Sequence, residues 1–310
     1  RDLNKPNESK EVINKALTIN PNFYQGYYLL GVLFKENNRH SDAKINLKKA
    51  IEINNKDDKL YEELGSVLLS LKDFKEARRI YEQSISSFPK NNYLKVGLLN
   101  TLSSTCDWNS LSEKKDWINN IGIHSDPVGH QCLTYLDDDP EKEFLRSKLF
   151  FKDRIYKPER KLLFKKKNKI KIGYFGNNFY QHSTMILLIR VIELHNKNEF
   201  EIYIYDFGHH AEDAYTKRVK AAANQYQNVK NLSDQELIDL ARADQIDIAF
   251  DLMGYTIHHR AKIFSKRLAP IQVGYLDWAG SSGNKSIDYF IADQTLIPPE
   301  DEKYYVEKII

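Results

Sequence analysis

Chemistry in this chain centres first on His182. The stretch Lys169–Ile170–Lys171–Ile172–Gly173–Tyr174–Phe175–Gly176–Asn177–Asn178–Phe179–Tyr180–Gln181–His182–Ser183 reads as a short buried strand, a loop with two glycines, and a histidine opening an apolar helix. An imidazole titrates near neutral pH and can take or give a proton, so His182 is the catalytic candidate. The structural alternative is a histidine that caps its helix. Two later loops have related chemistry, Asp251–Leu252–Met253–Gly254–Tyr255–Thr256 and Asp277–Trp278–Ala279–Gly280–Ser281–Ser282–Gly283. Each combines glycine, which allows close backbone approach, with hydroxyls or a carboxylate. Asp251, Gly254, Tyr255, Thr256, Gly280, Ser281 and Ser282 are therefore the substrate-binding candidates, although Asp251 could equally cap its own turn. None of these loops is G-x-G-x-x-G, which argues against a dinucleotide oxidoreductase.

No metal site is expected. His258–His259 fall on a helix expected over residues 257–267, where adjacent side chains diverge by about 100° and chelate poorly. His209–His210 read as surface loop residues. Asp137–Asp138–Asp139 precede Pro140, and carboxylates cluster at helix starts for electrostatic reasons, with Asp139 as N-cap and proline in the first turn. No cofactor is expected either.

The elements that must position these residues alternate strand and helix. Strands are expected at Ile170–Tyr174, Phe200–Tyr205, Val229–Leu232, Ile246–Asp251, Ile271–Leu276 and Tyr289–Ala292, and the closing Tyr305–Ile310 reads as another. Between them lie an apolar, well-buried helix from Thr184 to His195 and a polar helix near 213–224. A further helix opens at Ser233, with Glu236 completing a capping box. This order implies a parallel sheet covered on both faces, with ligands beyond the carboxyl ends of its strands.

The first hundred residues are different. Leu30–Gly31 recurs as Leu64–Gly65, Ala43 as Ala77, Ala16 as Ala50 and Ser84, and Pro21 as Asn55 and Pro89, all at an interval of 34. Small residues let paired helices approach and large ones fill the groove between them, so each unit must stack on its neighbours. A third unit near Asn92 places Leu98–Leu99 where Leu–Gly would stand and reads as degenerate. Residues 10–20 read as the second helix of an earlier unit. A stacked array offers a groove for peptides or proteins; the alternative is a spacer. Helices are also expected at Leu111–Ile121 and Pro140–Tyr156, and the lysine-rich stretch 161–171 reads as a solvated linker.

Composition narrows the function classes. The 310 residues suggest about two domains, and 46 basic against 43 acidic residues leave +3, too balanced to signal nucleic acid or a membrane surface. No apolar run reaches the ~18–20 residues of a membrane span. Cys106 and Cys132 read as core cysteines rather than a disulfide framework, which fits a reducing, cytoplasmic setting. The absence of an initiating methionine and the strand-like end suggest a fragment of a longer protein.

The repeat positions Tyr27, Leu30, Gly31, Phe34, Ala43, Leu47, Ala50 and Asn55, and their counterparts Tyr61 to Pro89, resemble the tetratricopeptide pattern. Residues 169–310 resemble the amino-terminal catalytic lobe of the protein O-GlcNAc transferase family with its SPINDLY-like relatives. The motifs concerned are Phe179–Ser183, Asp251–Thr256, Arg267–Leu268–Ala269–Pro270–Ile271–Gln272–Val273, Gly280–Gly283, Asp288–Asp293 and Pro298. Upstream, Cys106–Asp107–Trp108 and Leu136–Pro140 resemble the join between repeats and lobe. The chain departs from the family pattern at Asn178, usually Asp, at Leu268, usually Pro, and across Asp277–Ala279, usually Gly-Tyr-Pro. The resemblance implies an α-solenoid of tetratricopeptide repeats (1–103), a helical connector (104–168) and a Rossmann-like α/β lobe (169–310), half of a two-lobed GT-B enzyme. It further implies inverting, metal-independent transfer from a UDP-sugar to serine or threonine, with His182 at the acid–base position and acceptor proteins in the repeat groove. The UDP-sugar would be held mainly by a second lobe beyond Ile310, so this chain alone is expected to be inactive. The alternative is a tetratricopeptide scaffold with a degenerate lobe.

Overall fold

The computed structural model describes residues 6–154, 162 and 168–310. The chain divides into two units, one running through Asp138 and the other from Asp139 to Ile310. Residues 104–138 thus pack with the repeats, and the helix that follows packs with the sheet.

The first unit is helical: α1 (Pro6–Ile19), α2 (Tyr24–Glu36), α3 (His40–Ile53), α4 (Asp58–Ser70), α5 (Phe74–Ser87), α6 (Asn92–Ser104), α7 (Trp108–Ser112) and α8 (Lys115–Asn120), with a 3₁₀ turn at Leu133–Tyr135. Helices α2, α4 and α6 start 34 residues apart, as the repeat requires. Asp57, Asp73, Asn91 and Asp107 accept backbone N–H bonds as N-caps, which sets those starts. Ala43, Ala50, Ala77 and Ser84 are buried where helices meet. A Cβ on Gly65 would stand 2.2 Å from the Tyr81 ring, and one on Gly97 2.3 Å from the same ring. Tyr81 is therefore clamped between α4 and α6, and the third unit keeps its close approach one residue before Leu98. Its second helix is broken: the expected helix over 111–121 is two short ones, α7 and α8. Cys132 is buried, but Cys106 is exposed with φ of 54° just before the Asp107 cap, so it is a turn residue and not a core one.

The second unit begins with α9 (Pro140–Arg154), whose Asp139 side chain accepts from the Lys142 N–H at 3.1 Å. The end expected at Tyr156, and most of the stretch 161–171, lie outside the described residues. Then follow β1 (Ile170–Gly176), α10 (Ser183–Leu194), β2 (Phe200–Asp206), α11 (Ala214–Ala222), β3 (Gln225–Asn228), α12 (Asp234–Ala243), β4 (Ile248–Asp251), α13 (Lys262–Ser265), β5 (Ile271–Gly274), β6 (Tyr289–Phe290) and β7 (Lys308–Ile309). All seven strands pair in parallel in the order β3-β2-β1-β4-β5-β6-β7. The order reverses between β1 and β4, and the carboxyl ends of the strands at such a switch point are where open parallel sheets bind ligands. The crevice expected there lies beside the loops that leave β1 and β4. Alternate residues of β1 feed two cores. Ile172 and Tyr174 join Met185, Leu188 and Ile189 of α10, while Phe175 stacks on Tyr205 at 4.3 Å on the face toward α12 and α13.

Four local expectations change. The strand expected at Val229–Leu232 is instead Gln225–Asn228, a polar edge strand with no hydrophobic alternation to reveal it. Val229 is buried just beyond it, its N–H bonded to the Asp206 carbonyl. The helix expected over 257–267 shrinks to α13, because His258 (φ 64°) and Arg267 (φ 55°) leave the right-handed helical region. His258 and His259 therefore do not lie on a helix. Helix α10 is not buried all round, since Ile186, Leu187, Val191 and Leu194 are exposed on its outer face.

Candidate active site at the switch point

The loop after β1 is held at three points. Phe179 is fully buried, its carbonyl accepts from the Thr216 hydroxyl at 2.9 Å, and the Gln181 N–H donates to Asp213 at 2.6 Å. His182 follows in extended conformation as the N-cap of α10, with Nδ1 3.3 Å from the Thr184 amide and 3.0 Å from the Thr184 hydroxyl oxygen. The geometry of a cap is thus present, and both contacts fall on the same ring nitrogen. No hydrogen bond to Nε2 is present among the described residues.

Thr184 in turn donates its hydroxyl to Asp277 Oδ1, and Asn178 Nδ2 donates to Asp277 Oδ2 at 2.7 Å. Asp277 is the first residue of the loop that departs from the family pattern, and Asn178 is the position where that pattern usually has Asp. The two positions therefore touch across the crevice. Burial raises the Asp277 pKa, while Thr184, Asn178 and the nearby His182 oppose that rise. Neither Thr184 nor Asp277 stood out in the sequence as a site residue.

Tyr180 lies beside His182, ring centroids 5.6 Å apart, and stacks on His210 at 4.7 Å. His210 is not a surface residue: its side chain is 11% exposed and its Nε2 lies 2.9 Å from the fully buried Asp206 carboxylate at the end of β2. His209 is exposed as expected. Three rings therefore line the carboxyl ends of β1 and β2.

The β4 loop is largely self-contained. Asp251 is buried, and its Oδ1 accepts from the Met253 and Gly254 N–H groups at 2.9 and 3.2 Å. Burial pushes its pKa up to about 6, those two bonds oppose the rise, and the Asp277 charge adds to it. Gly254 has φ of 53°, and a Cβ there would lie 2.3 Å from Trp278 Cβ, so only glycine fits. The Thr256 hydroxyl donates to the Met253 carbonyl at 2.9 Å. Tyr255 is buried, packs edge-on against Phe150 of α9 and Trp278, and donates its hydroxyl to the Ser282 carbonyl.

In the β5 loop the serines face inward. Ser281 donates to the buried Glu307 at 2.7 Å, and both the N–H (2.8 Å) and the hydroxyl of Ser282 bond to the same carboxylate. Gly280 lies against Trp278 and Glu143, while Gly283 (φ 63°) lies against the α9 backbone. Asp251, Gly254, Gly280, Ser282 and Glu307 all line one small cavity, and His182 is not among its walls. So the structure gathers the candidates into two groups: His182 with Asp277 on the crevice, and the other loop residues around Trp278. The motif pair Arg267 and Asp288 is architectural, a bidentate ion pair at 2.5 and 2.8 Å that also receives the Gln272 N–H. Among the described residues no cluster of three His, Cys, Asp or Glu is placed to hold a metal ion.

The model of glycosyl transferase family 41 matches residues 146–310, more than half of the chain. The chain belongs to glycosyl transferase family 41. Tetratricopeptide repeats match at 1–23, 24–57 and 58–91. This family 41 chain is 29% identical over 142 residues to an Arabidopsis thaliana protein named probable UDP-N-acetylglucosamine–peptide N-acetylglucosaminyltransferase SEC, covering 46% of the chain and 14% of that protein. It is 26% identical over 145 residues to SPINDLY of the same plant, covering 46% and 16%, and 25% identical over 142 residues to the Caenorhabditis elegans enzyme, covering 46% and 12%. A solved mutant of Thermobaculum terrenum O-GlcNAc transferase aligns over 99% of the chain and 54% of its own length, with a TM-score of 0.57 at 24% identity, and supports the fold. The chain thus covers well under two thirds of these relatives. No helix among the described residues is long and apolar enough to cross a membrane.

Proposed function

We propose that these 310 residues form the repeat region and first catalytic lobe of a protein glycosyltransferase that moves a sugar, GlcNAc in the first instance, from a UDP-sugar to serine or threonine. The observation that carries this reading is His182. It stands at the switch point of a family 41 sheet, Nδ1 anchored to Thr184 and Nε2 free of any partner among the described residues. In the proposed step Nε2 takes the proton of the acceptor hydroxyl. The hydroxyl oxygen bonds to the anomeric carbon as that carbon's bond to the β-phosphate oxygen breaks, UDP leaves with the electron pair, and the configuration inverts. Base assistance of this kind is typically worth ~10²–10⁴ in rate. No metal or cofactor enters the proposal, and the repeats recruit acceptor proteins.

The solved neighbour is matched over only 54% of its length, and the described sheet offers no second lobe to hold a nucleotide. The 310 residues by themselves are therefore proposed to be inactive. The competing reading, a tetratricopeptide scaffold with a degenerate lobe, draws on Ser281, Ser282 and Thr256, whose hydroxyls are all engaged within the protein. The test is mass spectrometry of acceptor peptides incubated with UDP-sugars and either this chain or the chain extended through its second lobe. Transfer by the extended protein alone supports the proposal. Turnover by the 310 residues would overturn the division of labour, and no transfer by either would favour the scaffold.

A further inference from the structure

We propose that Asp277 is a positioning residue which, through the Thr184 hydroxyl, holds His182 in the tautomer protonated at Nδ1 and so leaves Nε2 as the proton acceptor. The inference rests on the acid–base reading of His182 and adds the device that prepares it. A chain of two contacts joins the start of α10 to the β5 loop: Asp277 Oδ1 accepts from the Thr184 hydroxyl, and the Thr184 hydroxyl oxygen lies 3.0 Å from Nδ1 of His182 two residues earlier. Asn178 steadies the far carboxylate oxygen at 2.7 Å.

The direction of these bonds follows from the groups themselves. An ionised carboxylate can only accept, so the single hydroxyl proton of Thr184 points to Asp277. The threonine oxygen then offers lone pairs only, and a ring nitrogen 3.0 Å away must bring the proton to make a bond. That requires Nδ1–H. Opposing it is the helix cap, in which the Thr184 N–H donates to Nδ1 at 3.3 Å and requires Nδ1 to be bare. One nitrogen cannot satisfy both. The hydroxyl contact is shorter, and its oxygen is polarised by the carboxylate behind it, whereas a 3.3 Å amide contact lies beyond the usual range. The relay wins, and the tautomer with a free Nε2 lone pair follows.

The test reads the tautomer directly, with neither sugar donor nor acceptor present. Histidine-selective ¹⁵N labelling of the chain, with long-range proton–nitrogen correlation at a pH of about 8.5, two units above the ordinary imidazole value, distinguishes the two neutral forms. The chain has nine histidines, and the His182 signals are assigned by their loss in His182→Ala. The expected result is Nδ1–H in the wild type and in Thr184→Ser. Thr184→Val, which keeps the shape but loses the hydroxyl, and Asp277→Ala are both expected to shift the equilibrium to Nε2–H, with the amide cap now unopposed. The eight remaining histidine signals report whether each variant is folded, and a collapse of Thr184→Val leaves Asp277→Ala against Thr184→Ser to decide. Nε2–H in the wild type, or Nδ1–H persisting in a folded Thr184→Val or Asp277→Ala, would overturn the proposal. The expected tautomer together with near wild-type turnover of His182→Ala in a longer form of the protein that transfers sugar would sink the acid–base reading and leave the relay standing.

Discussion

Replacing Asp251 by Asn should make the second unit more stable at neutral pH, and only there. Asp251 is 6% exposed, and burial pushes its pKa from 3.8 up to about 6. A folded-state pKa above the unfolded one means that the folded protein holds the proton more tightly. The stability this contributes is fully present below about pH 4 and is lost as pH rises through about 6. The difference between 3.8 and about 6 corresponds to ~3 kcal/mol carried by the ionised form at pH 7. Asparagine keeps the oxygen that accepts from the Met253 and Gly254 N–H groups and removes the buried charge facing Asp277. Urea unfolding of Asp251→Asn and wild type can be followed from pH 4 to 8 by emission of Trp278, the only tryptophan of the second unit, with Trp108 and Trp117 replaced by Phe. The variant should gain about 3 kcal/mol over wild type at pH 7–8, the gap closing toward pH 4. Parallel curves across the range, or an asparagine variant that is the weaker at every pH, would refute the reasoning.

Other perturbations test the architecture. Arg267→Ala strips the bidentate cationic partner from the Asp288 carboxylate and should cost about 3 kcal/mol by urea unfolding. A loss under about 1 kcal/mol would show the pair to be ornamental. Gly65→Ala forces the Tyr81 ring toward Gly97, which has no room for it, so the repeats should lose ~1–3 kcal/mol, read as a lower unfolding midpoint in circular dichroism. An unchanged midpoint would mean that the ring can move aside. Glu76 is held down to about 2 by hydrogen bonds from Lys44 and Lys48, so its contribution is present at neutral pH and lost as pH falls below the usual carboxylate range. Glu76→Gln should therefore lower repeat stability by about 1 kcal/mol at pH 7, and the difference should vanish near pH 2.

The legible parts of this fold were those written in local periodicity. The 34-residue interval located α2 through α6, and the continuous apolar runs of β1 and β2 located the centre of the sheet, because a strand buried on both faces has no polar side to show. Strand β3 escaped because Gln225, Tyr226, Gln227 and Asn228 sit at the sheet edge, where burial asks little of the sequence. The short α13 escaped because composition does not register the left-handed backbone at His258 and Arg267. At the site, His182 was legible from its place between strand and helix. Its partner Asp277 lies 93 residues beyond Thr184 and reaches it only because β4 and β5 follow β1 in the sheet order. In the sequence Asp277 registered as a departure from a family pattern, with nothing to link it to Asn178. His210 is only four residues from Asp206, but nothing in the local pattern shows that the loop after β2 turns its ring back onto that buried carboxylate.

The central claim is that His182 takes a proton in sugar transfer. Its most direct test is single-turnover kinetics of a longer form of the protein carrying the proposed second lobe, comparing wild type with His182→Ala at saturating UDP-sugar and acceptor peptide. The account predicts a transfer rate lower by ~10²-fold or more in the variant, with UDP-sugar binding retained. Near wild-type turnover in a folded His182→Ala protein would contradict it and leave this histidine only the cap of α10.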